Sequence, residues 1–261
     1  VGLSGAGKSN LLGFIANRPP PGGVHFALVD CNRLRETAPG ALFKLIRAAL
    51  DDPAPAEDEW PALESAVAHR LAWGPLCLLF DRFDSLAESA ALAGNLRALR
   101  DAHKYDLTFV IAARRPLPAR TELAELFAAH TLWLGPLSPA DARWDVERYM
   151  QRLGQRWGDE TVARLIQFSG AYPSLLRAAC EAYATDPDPA ALADHPAVRA
   201  RLEEFWADAP SPDELRSSGL AGHPLLAAIT TTYVDTSQLT AKENLLLICL
   251  RAHPDAVCEK D

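Results

Sequence analysis

The stretch Val1–Asn10 reads VGLSGAGKSN and decides the fold. It matches the pattern GxxxxGK[ST] through Gly2, Gly7, Lys8 and Ser9. In this pattern backbone N–H groups surround phosphate oxygens, the lysine reaches the β and γ phosphates, and the hydroxyl binds Mg²⁺. The overlapping GxxGxG spacing could suggest a dinucleotide loop, but the GxGxxG register is missing and the Lys-Ser ending favours the phosphate loop. The predicted nucleotide-binding residues here are Gly2, Ser4, Gly5, Ala6, Gly7, Lys8, Ser9 and Asn10.

Strand-like and helix-like patterns alternate after this loop. We predict strands at Val24–Asp30, Pro75–Phe80, Leu107–Ala113 and Thr131–Leu134. Helical patterns lie before and between them, at Asn10–Ala16, Gly40–Leu50, Glu59–Trp73, Leu86–His103 and Arg120–His130. Such alternation without hairpin signals predicts an α/β fold, a P-loop NTPase domain with a parallel sheet, over residues 1–135. The strand that carries the loop is expected before Val1, so that we expect this sequence to be a fragment.

The apolar run PLCLLF ends in Asp81. Ligands of open α/β sheets bind at the carboxyl ends of the strands, where a carboxylate can hold Mg²⁺. We therefore predict Ser9 and Asp81 as the metal ligands. The alternative role for Asp81 is that of a helix N-cap, which Asp84 or Ser85 could serve as easily.

The pattern becomes purely helical after Gly135. Ser138 is placed as an N-cap with a proline in the first turn, and Gly170 as a helix terminator. We predict helices at Pro139–Leu153, Asp159–Ser169 and Pro173–Ala184. The predicted organisation is a helical lid subdomain at 136–187, a helical connection at 188–238 and a new unit that begins at 239–261.

Four segments together resemble a known family: the phosphate loop, LLFDRFDSL, VIAARRP and SGAYPSLL. They resemble the AAA+-related signalling ATPases called STAND proteins, and also the origin-recognition type of AAA+ ATPase, over roughly residues 1 to 185. The resemblance implies binding of ATP or ADP with Mg²⁺, a helical lid and nucleotide-dependent homo-oligomers.

The same resemblance bears on hydrolysis. In such proteins an acidic residue usually follows the Mg²⁺ aspartate and polarises the attacking water. This chain has Arg82 there, which cannot act as a base because its pKa is far above neutrality. Asp84 is the nearest replacement carboxylate, so Lys8, Asp81 and Asp84 are the predicted catalytic residues together with Arg114. We expect slow hydrolysis or a long-lived bound nucleotide.

Three further site residues follow from the resemblance. Arg114 at the end of a strand is placed to sense the γ phosphate through its planar donors, although a solvated loop arginine is the alternative. Pro173 resembles the lid proline near the adenine, but this chain has two residues between Gly170 and Pro173 where the family often has one, and a helix start also explains it. Arg177 could be a second phosphate sensor or simply exposed.

The last 23 residues, LTAKENLLLICLRAHPDAVCEKD, resemble the start of a response-regulator type winged helix. The match rests on Leu239, Thr240, Glu243, Leu245–Leu247, His253, Pro254 and Val257. Because the recognition helix would lie beyond Asp261, we expect the parent protein to bind DNA through that part and this piece not to.

Composition narrows the class of protein. The 261 residues are 49% hydrophobic. The chain has 26 Lys and Arg against 34 Asp and Glu, which gives a net charge of -8. This acidic balance argues against a nonspecific nucleic-acid binder, which would need a basic surface. The 5 scattered cysteines fit buried thiols in a reducing cytoplasm. Apolar runs fall short of the roughly twenty residues that span a membrane, and no two of the 7 histidines are spaced to share a metal.

The sequence therefore predicts a cytoplasmic ATP/Mg²⁺-binding switch, a weak ATPase that controls a DNA-binding transcription-regulator output. Two alternatives stay open. One is an AAA+ loader or motor for DNA replication or transposition, against which Arg82 weighs. The other is a nucleotide-gated signalling scaffold.

Overall fold

The computed structural model describes residues 1–18, 23–117, 124, 127 and 130–223. The first part of the chain contains a sheet with strands β1 (His25–Asp30), β2 (Leu76–Asp81) and β3 (Leu107–Ile111). Their order is β1-β2-β3, and both neighbouring pairs are parallel. The predicted parallel α/β arrangement is thus confirmed for these three strands.

Strand β2 forms the centre of the sheet and is buried at every position. Its side chains alternate between two apolar cores, with Leu78 and Phe80 in one and Cys77 and Leu79 in the other. A parallel strand that is covered on both faces needs apolar residues throughout. This explains why the run that ends in Asp81 lacks the alternation of a half-exposed strand.

Among the described residues of this first part, four helices have defined bounds: α1 (Lys8–Ala16), α2 (Pro39–Ala49), α3 (Glu59–Leu71) and α4 (Ala90–Ala102). Helices α2, α3 and α4 contribute buried residues to one core of the sheet, while Leu12 of α1 belongs to the other. Two cap side chains fix helix starts, since Asp58 accepts the N–H of Trp60 and Ser89 that of Leu92.

A buried arginine fastens the connection between α2 and α3. The Arg47 guanidinium donates to the carboxylates of Asp52 and Glu59 and to the main-chain oxygen of Ala54. Arg47 is only 4% exposed. A buried cation requires such a set of acceptors, so this connection is held in one conformation.

The chain divides into two compact units, and the second comprises Leu3–Ala6 together with the residues from Leu134 onward. Its helices are α5 (Pro139–Leu153), α6 (Asp159–Ser169), α7 (Pro173–Thr185), α8 (Pro196–Ala207) and α9 (Pro212–Ser217). The division falls close to Gly135, where the sequence pattern becomes purely helical. The assignment of 136–187 as a lid stays a prediction.

Two apolar cores lie among the described residues of the second unit. One includes Val146, Leu165 and Leu176 from α5, α6 and α7. The other joins Leu3 and Ala6 to Tyr172, Leu175 and Phe205 from the chain around α7 and α8. The short segment Leu3–Ala6 is therefore part of a core formed by residues far away in the sequence.

Helix ends in this unit follow their local sequence. Ser138 accepts the N–H of Asp141 and starts α5, as predicted. Gly154 and Gly170 end α5 and α6 with φ angles of 66° and 57°, in the left-handed region that glycine adopts without steric cost. The prediction of a helix-terminating Gly170 is confirmed.

One predicted strand is wrong, and several other predicted elements lie outside the described residues. No strand forms at 131–134, where the structure has chain without ladder pairing. A run of four apolar or β-branched residues fits a strand but does not supply a partner. Most of the predicted helix at 120–130, part of the 188–238 connection and all of the winged-helix start at 239–261 lie outside the described residues.

His223 is a buried titratable group of the second unit. Its Nε2 lies 2.6 Å from the carbonyl oxygen of Ser169. Because a carbonyl only accepts, Nε2 carries the proton. A Cβ on Gly170 would lie 2.1 Å from the same nitrogen, so the contact is tight. Burial lowers the pKa of His223, although the hydrogen bond to Ser169 opposes the shift.

We predict that His223 makes the protein less stable in mild acid. The ordinary histidine pKa is about 6.5 and the folded value is lower, so the unfolded chain takes up the proton first as pH falls. The stability contribution is complete above this unfolded value and declines below it. Urea unfolding at pH 7.5 and 5.0 measures the effect, which we expect to be smaller in His223→Gln.

The matched control is His69→Gln, at an exposed position on α3. It should keep the pH dependence of the wild type. Equal pH dependence in wild type and His223→Gln contradicts the prediction.

Candidate functional site

The phosphate-loop residues of the first unit begin beside the sheet. The N–H of Gly2 donates to the carbonyl oxygen of Ala113, just past the end of β3, at 3.3 Å. Gly7 is the N-cap of α1 with φ 89°, a left-handed conformation that only glycine adopts readily. The second glycine of the pattern is therefore required by the backbone itself.

Lys8 closes the loop. Its Nζ donates to the carbonyl oxygen of Gly2, six positions earlier in the chain, at 2.6 Å. The ammonium group is thus held at the start of the loop instead of extending into solvent. In the phosphate-loop pattern, a lysine at this position reaches the β and γ phosphates.

Helix α1 presents its N-terminal end after the loop. Ser9 and Asn10 are exposed in its first turn, and no acidic side chain lies in that turn. Helix N-termini attract anions through their main-chain N–H groups and the helix dipole. This positive helix end is therefore formed by four of the predicted nucleotide-binding residues, Gly7, Lys8, Ser9 and Asn10.

Two carboxylates end neighbouring strands. Asp81 ends β2 and is paired in register with Asp30, which ends β1. Asp81 is 8% exposed, and its Oδ1 accepts the N–H of Arg82 at 3.0 Å. The side chain of Asp30 accepts the N–H of Asn32. Asp30 is not among the predicted site residues, although VHFALVD also ends in aspartate.

Cys31 follows Asp30 at this edge of the sheet, and its thiol is buried. Burial, with smaller effects of the Asp30 and Asp81 carboxylates, raises the pKa of Cys31 to about 12. Cys31 is accordingly a protonated thiol at neutral pH. This agrees with the prediction that the cysteines are buried, and it is unsuited to nucleophilic chemistry.

Asp84 and Arg114 are brought together. Asp84 lies in the short 3-10 turn Phe83–Leu86 that follows β2, and its Oδ1 accepts the main-chain N–H of Arg114 at 2.7 Å. The N–H of Phe83 donates to Ala112 in the same region. This pair links the carboxyl ends of β2 and β3, so Asp84 positions the backbone of Arg114. Their catalytic roles stay predictions.

Arg82 lies between Asp81 and Asp84 in the sequence and has an unusual backbone conformation. It has φ 54° and ψ 48° and an exposed side chain. Non-glycine residues in this left-handed region are uncommon and occur where surrounding contacts impose them. The position at which the resembled family usually has an acid is thus a sharp turn occupied by a cation.

The remaining loop residues, Ser4 and Gly5, are held within the second unit. The N–H of Ser4 donates to Asp208 Oδ2 at 3.2 Å, and the Tyr172 hydroxyl donates to the Ser4 carbonyl at 2.5 Å. The N–H of Ser174 donates to the carbonyl oxygen of Gly5. Sequence reasoning missed Tyr172, Ser174 and Asp208 as neighbours of the loop.

Pro173 stands between Tyr172 and Ser174 as the first residue of α7. Pro173 therefore does begin a helix, which is the alternative explanation for it. Its predicted position near the adenine stays a prediction. Arg177 is exposed on the same helix. The segment SGAYPSLL does adjoin the loop, but the residues that contact it are those flanking the proline.

Comparisons with known proteins support the fold. No family model matches the chain, and no curated protein matches it. A Walker-type ATPase of Pyrococcus abyssi has a similar structure, with a TM-score of 0.52 and 14% identity over 77% of this chain. The match spans 65% of that ATPase, so this chain covers less than two thirds of its length. The chain has the fold of a P-loop NTPase.

Two kinds of feature are absent from the described part of the chain. Residues 1–18, 23–117, 124, 127 and 130–223 include no group of three or more His, Cys, Asp or Glu side chains that could hold a metal ion. No helix among those same residues is long and apolar enough to cross a membrane.

Gly5 gives a direct test of the loop conformation. It has φ 82°, and a Cβ there would lie 2.1 Å from Ser174 Oγ. We predict that Gly5→Ala lowers the free energy of unfolding by about 1–3 kcal/mol, because both the left-handed backbone and the contact oppose a side chain. Chemical denaturation measures the change.

Gly13→Ala is the matched control. Gly13 lies within α1, and a Cβ there would meet nothing within 4 Å. Because alanine is the better helix former, this variant should be as stable as the wild type or up to about 1 kcal/mol more stable. A Gly5→Ala protein that matches Gly13→Ala contradicts the loop geometry.

Proposed function

We propose that the chain binds ATP and ADP with Mg²⁺ at the loop Gly2–Asn10 and acts as a slowly hydrolysing molecular switch. The observation that carries this proposal is the bond of Lys8 Nζ to the Gly2 carbonyl. It holds a cation at the start of a loop in which Gly5 and Gly7 have positive φ and after which a helix begins. Cation, turning backbone and helix end together fit a polyphosphate.

The magnesium role goes to Ser9 and Asp81. A hydroxyl and a carboxylate are the hard oxygen donors that Mg²⁺ prefers, and a site of few protein ligands is usual because phosphates and water complete it. When bound, the ion would neutralise charge on the β and γ phosphates. The lack of an all-protein metal cluster in the described residues is compatible with this arrangement.

Slow hydrolysis follows from Arg82. A general base must accept a proton from the attacking water, and a guanidinium cannot do so near neutral pH. Asp84 is the nearest carboxylate, but one of its oxygens already accepts the N–H of Arg114. We propose that Asp84 is an inefficient substitute, and that Arg114, whose backbone it fixes, contacts the γ phosphate.

The output of the switch is proposed from the sequence. We place a STAND or AAA+-related lid at 136–187 and the start of a winged helix at 239–261, through whose continuation the parent protein would bind DNA. The support is the resemblance of these segments, since residues 239–261 lie outside the described part of the chain.

Replacing Lys8 tests the proposal. Lys8→Ala should weaken the binding of Mg·ATP at least tenfold, because it removes the cation held at the loop. Titration calorimetry with ATP measures the affinity. The matched control is Lys44→Ala, at an exposed position on α2, which should bind ATP like the wild type. Unchanged affinity in Lys8→Ala contradicts the proposed function.

Arg82 offers a gain-of-function test. Arg82→Glu should raise the turnover of ATP about tenfold or more, because a carboxylate at this turn can take the proton from water. Phosphate release at saturating ATP measures it. Arg82→Gln is the matched variant, since it removes the positive charge without adding a base. Equal rates in the two variants would show that the missing acid does not limit hydrolysis.

A further inference from the structure

Ser4 and Gly5, two phosphate-loop residues that belong to the second unit, make three hydrogen bonds within that unit. Asp208 accepts the N–H of Ser4, Tyr172 donates to the carbonyl of Ser4, and Ser174 donates to the carbonyl of Gly5. Both main-chain polar groups of Ser4 are therefore engaged. This inference rests on the proposed function, in which these residues belong to a nucleotide-binding loop.

Asp208 is the charged member of this set. It is 9% exposed and follows the last residue of α8. A carboxylate at the C-terminal end of a helix is electrostatically unfavourable, because that end carries negative partial charge. Asp208 nevertheless lies at this helix end. The N–H of Ser4 is one donor that offsets the free-energy cost of burying its carboxylate.

Tyr172 is the second side chain that bonds to the main chain of Ser4. Its hydroxyl is buried and donates to Ser4 at 2.5 Å. Burial, followed by the carboxylates of Asp208 and Glu204, raises the pKa of Tyr172 above its ordinary value. Tyr172 is therefore a neutral donor at physiological pH and holds the loop without adding charge.

A phosphate loop works by turning N–H groups toward an anion. At Ser4 that donor is already occupied by an anion of the protein itself. A buried carboxylate repels further negative charge over several ångströms because little solvent screens it. The repulsion grows with the charge of the ligand, and a triphosphate carries more charge than a diphosphate.

We propose that Asp208 is a specificity-determining residue that lowers the affinity of the loop for nucleoside triphosphate relative to nucleoside diphosphate. Tyr172 and Ser174 are positioning residues that keep the loop against this carboxylate.

Asp208→Asn separates charge from hydrogen bonding. The amide oxygen can still accept from Ser4, while the negative charge is gone. We expect the affinity for ATP to rise about tenfold and that for ADP to rise clearly less, so that the ratio of the two dissociation constants shifts at least about threefold toward ATP. Calorimetric titration with ATP and with ADP, each with Mg²⁺, measures both constants.

Two variants serve as controls. Glu203→Gln, at an exposed position on α8, removes the same charge from the same helix and should leave both affinities unchanged. Tyr172→Phe removes the bond to the Ser4 carbonyl but leaves Asp208, so it should weaken ATP and ADP alike and keep their ratio. Asp208→Ser replaces Asp208→Asn if the latter does not fold, and should shift the ratio in the same direction.

The possible failures are distinct. A shift of less than about twofold in the ATP to ADP ratio for Asp208→Asn and Asp208→Ser, in a protein that binds both nucleotides through Lys8, overturns the role of Asp208 alone. That role is also overturned if Glu203→Gln shifts the ratio as much as Asp208→Asn. Failure of the wild type to bind either nucleotide overturns the proposed function and with it this inference.

Discussion

Hydrogen bonds to the main chain of the phosphate loop constrain the rest of the structure. A loop that turns several N–H groups toward one point has no ladder or helix to satisfy its other polar atoms. Here the carbonyl of Gly2 is met by Lys8, that of Ser4 by Tyr172 and that of Gly5 by Ser174. Each compact unit holds its own residues of the loop, so the loop conformation depends on folding in both.

Local sequence was sufficient for the elements that carry the site. The apolar run before Asp81 predicts a doubly covered strand, because only such a strand needs apolar side chains on both faces. The glycine before Lys8 belongs to the motif from which the phosphate loop is predicted, and the structure shows that it has a positive φ at the N-cap of α1. The cap at Ser138 and the stop at Gly170 are encoded by one or two residues each.

The contacts around Ser4 could not be predicted in this way. Ser4 and Tyr172 are separated by 168 positions, and Ser4 and Asp208 by 204. No periodicity or motif connects residues at such separations, and Asp208 appears in the sequence as one acid among many. Thr131–Leu134 shows the opposite failure, because its side chains suit a strand but a strand also needs a partner, which side-chain pattern does not specify.

In the proposed function, two charged residues on different parts of the chain act against the triphosphate, one by slowing its hydrolysis and the other by lowering its affinity. Arg82 occupies the turn after Asp81, the proposed magnesium ligand, and a guanidinium there cannot act as a base near neutral pH. Asp208 places a carboxylate on a loop N–H, where it disfavours the more highly charged nucleotide. Neither replaces a glycine, Lys8 or Ser9 of the motif, so the proposed phosphate contacts remain. This division fits the proposed function, in which the states of the protein are defined by which nucleotide it holds rather than by how fast it consumes one.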